Sequence, residues 1–311
     1  MKLSVTLVFC ALLTAVSSAA IAKEGSVELA DTADSVVGVV DILHPVEKRE
    51  VPNAVYNNLV WYYQYASSAY ADSCPRPNGN TFVKWVNNAA TDTQSFIAID
   101  DTRKEFIVAF RGSSSNYDFL TDVRGLSTEF DASGIKGPKG VRVHRGFLKA
   151  WTSISVEVGE TLASLYAAGP QYSSYSIVST GHSLGGALAS LAGITLKNQL
   201  PNAAVRIYTY GQPRTGNEAY ANWVNNAIGL AQLARSVNAN DPVPHVPSRF
   251  LGYLHHGTEY WTKSPPSAAS TIICPQNDDP NCSAGTWSTI LDIPKKPHRS
   301  YFGIKNGTPY C

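Results

Sequence analysis

The sequence predicts an α/β fold, a mostly parallel central sheet covered by helices on both faces. Three observations predict it. Short β-branched runs at Tyr175–Thr180, Val205–Tyr210 and Leu233–Val237 are spaced by helical patterns at Gly185–Leu200 and Glu218–Ile228. Strands that alternate with helices need crossover connections, and these make a sheet parallel and cover both of its faces. A tight glycine-flanked turn, Gly181-His182-Ser183-Leu184-Gly185-Gly186, joins one of these runs to the helix that follows.

Ahead of this core, residues 53–71 carry Val55, Leu59, Tyr62, Ala66 and Tyr70 at amphipathic helical spacing. Ser95–Ile99 and Glu105–Phe110 read as a hairpin around the polar turn Asp100–Lys104. Gly146–Ala168 reads as one long helix, with Phe147, Trp151, Ile154, Val158, Leu162 and Leu165 recurring at three and four residues.

The N-terminus reads as export machinery. Met1-Lys2, an apolar run from Leu3 to Val16 and a small-residue exit at Ser17–Ala22 make a signal peptide over residues 1–22, too short to span a bilayer. Residues 23–49 are acidic, lack aromatics and end in Lys48-Arg49, so they read as a propeptide with a dibasic cleavage site. Residues 50–311 suit one large catalytic domain. A formal net charge of +1 gives no footprint for nucleic acid, and no later stretch is apolar enough for a transmembrane segment. A monomer is expected.

Cys10 leaves with the signal peptide, and the even remainder favours disulfides over metal ligands or catalytic thiols. Four cysteines permit three pairings, which sequence cannot separate. Proximity favours Cys274–Cys282, leaving Cys74–Cys311.

The chemistry centres on Ser183. Gly-x-Ser-x-Gly between a strand and a helix is the context of a nucleophile elbow, where glycines relieve the tight turn and the helix N-terminus faces the developing oxyanion. A serine hydroxyl needs a base and an orienting carboxylate, in the chain order Ser, Asp or Glu, His. Asp241 directly follows a strand candidate, where carboxylates reach the crevice of an α/β sheet. His245, His255, His256 and His298 all follow it, and pattern alone does not choose among them. His255-His256 could suggest a metal site, but no neighbouring ligand cluster supports one, and no cofactor or metal is implied.

Taken together, Ala66–Tyr70, Phe110–Ser115, Val143–Phe147, Gly181–Gly186, Tyr210–Asn217, Asn240–Pro247 and His298–Gly303 resemble the class 3 lipases of filamentous fungi, over nearly the whole of residues 50–311. The resemblance implies an α/β-hydrolase fold with a short helical lid and a triad of Ser183, Asp241 and His298. It implies oxyanion donors at the backbone N–H groups of Ser113 and Leu184, with Asp122 bracing Ser113, and it suggests the same cysteine pairing. The lid would be residues 115–123, with Phe119, Leu120 and Val123 as its apolar face and Asn116 and Tyr117 beside them.

The expected function is therefore a secreted lipase acting on acylglycerols at an oil–water interface. A phenylalanine stands where the best-known relatives have a lid tryptophan, and the segment is comparatively polar, a trait of feruloyl esterases on the same scaffold. That esterase is the alternative reading. A non-catalytic binding protein is disfavoured by the intact triad. Asn306-Gly307-Thr308 and Asn281-Cys282-Ser283 are glycosylation sequons, the second beside a cysteine.

Overall fold

A computed structural model describes residues 51–113, 126–275, 277–286 and 295–311. The expected signal peptide and propeptide, the whole expected lid with Asn116, Tyr117, Phe119, Leu120 and Val123, and Asp122 lie outside the described residues.

Among the described residues the central sheet has eight strands, and they lie side by side in chain order. They are β1 (Thr81–Asn88), β2 (Thr93–Asp100), β3 (Glu105–Phe110) and β4 (Ser176–His182), then β5 (Val205–Tyr210), β6 (Leu233–Asn238), β7 (Thr258–Thr262) and β8 (Thr271–Cys274). The five middle strands, β3 to β7, run parallel. The edges are antiparallel, β1–β2–β3 on one side and β7–β8 on the other. The β2–β3 hairpin pairs Asp100 with Glu105, as its sequence predicts.

Two-residue periodicity divides the apolar residues between the faces. Along β3, Phe106, Val108 and Phe110 join the larger core, whereas Ile107 and Ala109 join the smaller one. Helix α1 (Asn53–Ser68) covers the smaller core with Tyr62, Tyr63, Tyr65 and Ala66, joined by Tyr301 from the C-terminal segment. On the other face lie α2 (Arg145–Thr152), α3 (Ser155–Ala167), α4 (Leu184–Gln199) and α5 (Glu218–Ile228). A last short helix, α6, spans Lys295–His298.

The single helix expected at Gly146–Ala168 is two helices. The break falls at Ser153-Ile154, where Ile154 has φ −129° and ψ −6°. Ser153 Oγ bonds back to the Ala150 carbonyl at 2.7 Å and across to Thr91 Oγ1 at 2.8 Å. Serine hydroxyls that compete for backbone carbonyls weaken a helix locally. The break lets Trp151 and Ile154 both reach the core.

Disulfides join Cys74 to Cys311 and Cys274 to Cys282. The first bridge seats the C-terminal tail on the end of α1, where Ser67 Oγ donates to the Thr308 carbonyl and Tyr310 N–H donates to Ser68 Oγ. Among the described residues, no helix is long and apolar enough to cross a membrane.

Candidate active site

Ser183 sits between β4 and α4 with φ +59° and ψ −127°, a region that side-chain-bearing residues seldom occupy. Neighbouring backbone leaves no room for side chains beside it. A Cβ at Gly181 would lie 2.2 Å from the Gly185 carbonyl oxygen, and one at Gly185 would lie 2.3 Å from that of Phe110. The turn is pinned by Ser183 N–H donating to the Tyr210 carbonyl at 2.9 Å. Leu184, the expected oxyanion donor, opens α4, so its amide belongs to the positive end of that helix.

Strand register gathers the remaining candidates. Phe110 of β3 pairs with Gly181 of β4, so the segment carrying Gly112 and Ser113 leaves the sheet beside the elbow. His182 pairs with Tyr210, and Tyr210 with Ser236 of β6. Asp241 therefore emerges at the same carboxyl edge, where α/β sheets place their ligand crevices.

Asp241 is fully buried, and its carboxylate has three partners. His298 Nδ1 lies 2.8 Å from Oδ2, Tyr301 OH donates to the same oxygen at 2.5 Å, and Val243 N–H donates to Oδ1 at 2.9 Å. Burial alone would raise this carboxyl group. The contact with His298 and the donors of Tyr301 and Val243 outweigh it and hold the group below the usual carboxylate range. A Cβ at Gly211 would meet Asp241, Tyr301 and His298 within 3 Å, so glycine is needed there too. Asn238 Nδ2 donates to the carbonyls of Pro297 and Ser300, fastening the His298 segment to the end of β6.

The loop after Asp241 is braced from below. Arg214 donates through Nη1 to the His245 and Pro247 carbonyls and through Nη2 to Asp278 Oδ1 at 2.7 Å. Asp278 Oδ2 also accepts the His255 N–H. Removing one member of so buried a pair leaves the other charge unpaired, typically a loss of ~3–5 kcal/mol. The pair thus ties the Cys274–Cys282 loop to the Asp241 loop.

The other histidines do different work. His144 caps α2 by accepting the Phe147 N–H at Nδ1. His255 Nε2–H donates to the Pro244 carbonyl, and His256 Nε2 lies 2.7 Å from Ser190 Oγ. His182 is buried under the elbow, its Nδ1 2.8 Å from Tyr70 OH and its Nε2 2.9 Å from the His298 carbonyl. Sequence reasoning singled out neither Tyr301 nor His182 for a role at the site, although both stand inside quoted motifs. Of the two sequons, Asn281 is exposed and bonded to Asp279, whereas Asn306 turns its amide toward Tyr70.

Burial pushes His182 and His256 down to about 3 and His255 well below the normal imidazole value, with nearby positive charge adding to the effect. The unfolded chain binds protons at these groups below about pH 6.5, and the folded protein does not. Stability should therefore be full above pH 6.5 and fall with acidification, by roughly 4 kcal/mol per pH unit if all three stay neutral. Urea unfolding midpoints measured between pH 8 and 4.5 check this, and a flat profile would refute it.

A strand–turn–helix serine at the carboxyl edge of such a sheet is the architecture of the α/β-hydrolases, enzymes of acyl transfer. A family model described as Lipase (class 3) matches residues 107–251. The chain is 30% identical to the lipase of Rhizomucor miehei, over 88% of this chain and 75% of that protein. It is also 30% identical to secreted mono- and diacylglycerol lipase 1 of Fusarium solani, over 79% of this chain and 75% of that one. A solved triacylglycerol lipase whose catalytic centre is a serine protease triad superposes with a TM-score of 0.72 at 29% identity, covering 83% of this chain and 98% of its own. The chain belongs to the class 3 lipase family and is an ester hydrolase of the serine type.

Proposed function

We propose that the protein is a secreted lipase that cleaves acylglycerol esters through an acyl-enzyme on Ser183. The observation that carries this reading is the convergence of the strained Ser183 turn and the buried His298–Asp241 pair at one edge of the sheet. His298 takes the Ser183 proton as the hydroxyl attacks the ester carbonyl, and Asp241 holds the ring by its Nδ1–H and stabilises the imidazolium. The N–H groups of Ser113 and Leu184 receive the oxyanion, and one such donor is commonly worth ~3 kcal/mol in the transition state. His298 then protonates the leaving alcohol, and finally activates the water that releases the fatty acid.

In this proposal Asp122 braces Ser113, residues 115–123 form the lid, and export and dibasic cleavage remove residues 1–49. The experiment is a rate measurement on the secreted protein, whose first residue should be Glu50 or Val51, with tributyrin across its solubility limit and methyl ferulate in parallel. A rate that jumps as droplets form supports the lipase. A smooth saturating curve with faster ferulate cleavage moves the protein to the cell-wall esterases, the reading favoured by the polar lid sequence.

A further inference from the structure

Tyr70 lies just beyond α1, and its hydroxyl is where three separate parts of the chain meet. It stands 2.8 Å from His182 Nδ1. Gly112 and the side chain of Asn306 lie beside it. The approach of Gly112 is so close that a Cβ there would lie 2.0 Å from the Tyr70 oxygen, so only glycine fits. The tail that carries Asn306 is itself fixed by the Cys74–Cys311 bridge and its bonds to Ser67 and Ser68.

The proton positions follow from the partners. His182 Nε2 faces the His298 carbonyl oxygen at 2.9 Å, and a carbonyl only accepts, so Nε2 bears the hydrogen. A neutral imidazole has one N–H, so Nδ1 is the acceptor and Tyr70 donates to it. The two imidazole rings lie 4.5 Å apart, so any shift of His182 is felt by His298 directly.

We propose that Tyr70 is a positioning residue for the catalytic base. Its hydroxyl selects the Nε2–H tautomer of His182, and that N–H holds the backbone carbonyl of His298. The proposal rests on the role assigned above to His298. Without the Tyr70 donor, His182 is free to protonate at Nδ1. Its Nε2 lone pair would then face the His298 carbonyl lone pairs, and the base would move off its line to Ser183. Misplacement of about 1 Å commonly lowers turnover by roughly 100-fold.

The test is Tyr70→Phe, which keeps the ring and removes the hydroxyl, read by long-range proton–nitrogen spectra of histidine-labelled protein. The His182 signal is identified by its loss in His182→Gln. Wild type should show His182 as the Nε2–H form, and Tyr70→Phe should shift it toward Nδ1–H. Turnover of tributyrin should fall by roughly 30- to 100-fold, with KM changed less than about twofold. Glutamine at 182 can donate to the His298 carbonyl with no tautomer to set, so adding Tyr70→Phe to His182→Gln should cost almost nothing further.

An Nδ1–H form in the wild type overturns the proposal, even if no variant folds. So does a Tyr70→Phe enzyme with unchanged tautomer and turnover, or a double variant whose losses multiply. Failure of the triad reading would look different. It would appear as hydrolysis surviving the loss of the Ser183 hydroxyl, with the His182 spectrum unaffected.

Discussion

Ser183→Ala is expected to lower turnover by about six orders of magnitude, leaving only what the remaining site and substrate binding accelerate over water. The size of the effect follows from the chemistry, because Ser183 carries the only hydroxyl within the elbow sequence Gly181–Gly186. The fold should survive. Alanine meets the same positive φ as serine, so the ~1–3 kcal/mol typically held in such a conformation is neither relieved nor increased. Esterase assays paired with calorimetric melting of the purified variant give both numbers. Wild-type-like hydrolysis would remove Ser183 from the mechanism, and a collapsed melting point would make the residue structural.

Asp241→Asn should cost about 10⁴-fold in kcat, less than loss of the nucleophile but with the protein intact. The carboxylate requires the proton of His298 to be on Nδ1, which leaves Nε2 bare to receive the serine proton. An asparagine amide can present N–H to Nδ1 instead. The ring proton then moves to Nε2, where it blocks proton transfer. His298 Nδ1 and Tyr301 O–H both meet Oδ2, so an amide nitrogen turned to the ring leaves the asparagine oxygen on Val243 N–H. Tyr301 O–H would then lose its acceptor, so a modest drop in stability should accompany the kinetic loss. Steady-state kinetics on soluble p-nitrophenyl esters measure this, and a loss under tenfold would show that Asp241 does not orient the base.

The middle of the sheet was legible because its residues obey local rules. Val205–Tyr210 and Glu218–Ile228 occupy the spans their patterns predict, since each is long, periodic and bounded by turn residues. β1 and β7 escaped because their signals are tertiary. β1 is an edge strand with only Val86 fully buried, and β7 carries Glu259 in its interior, opposite Arg235 on β6. At the site, Ser183 and Asp241 could be read from strand–turn context. His298 could not, because its place depends on Asn238, His182 and Asp241, residues far away in sequence that no spacing rule connects to it. The family resemblance supplied what pattern could not.

The Cys74–Cys311 bridge changes what counts as an end in this protein. Its sulfurs join positions 237 residues apart, so residues 74–311 form a covalent ring, and α1 lies on the branch ahead of it. A protease that cuts a single surface loop opens the ring without releasing a fragment, and both new ends stay attached to the same folded body. Durability against proteolysis then depends less on resisting the first cut than on keeping one sulfur–sulfur bond.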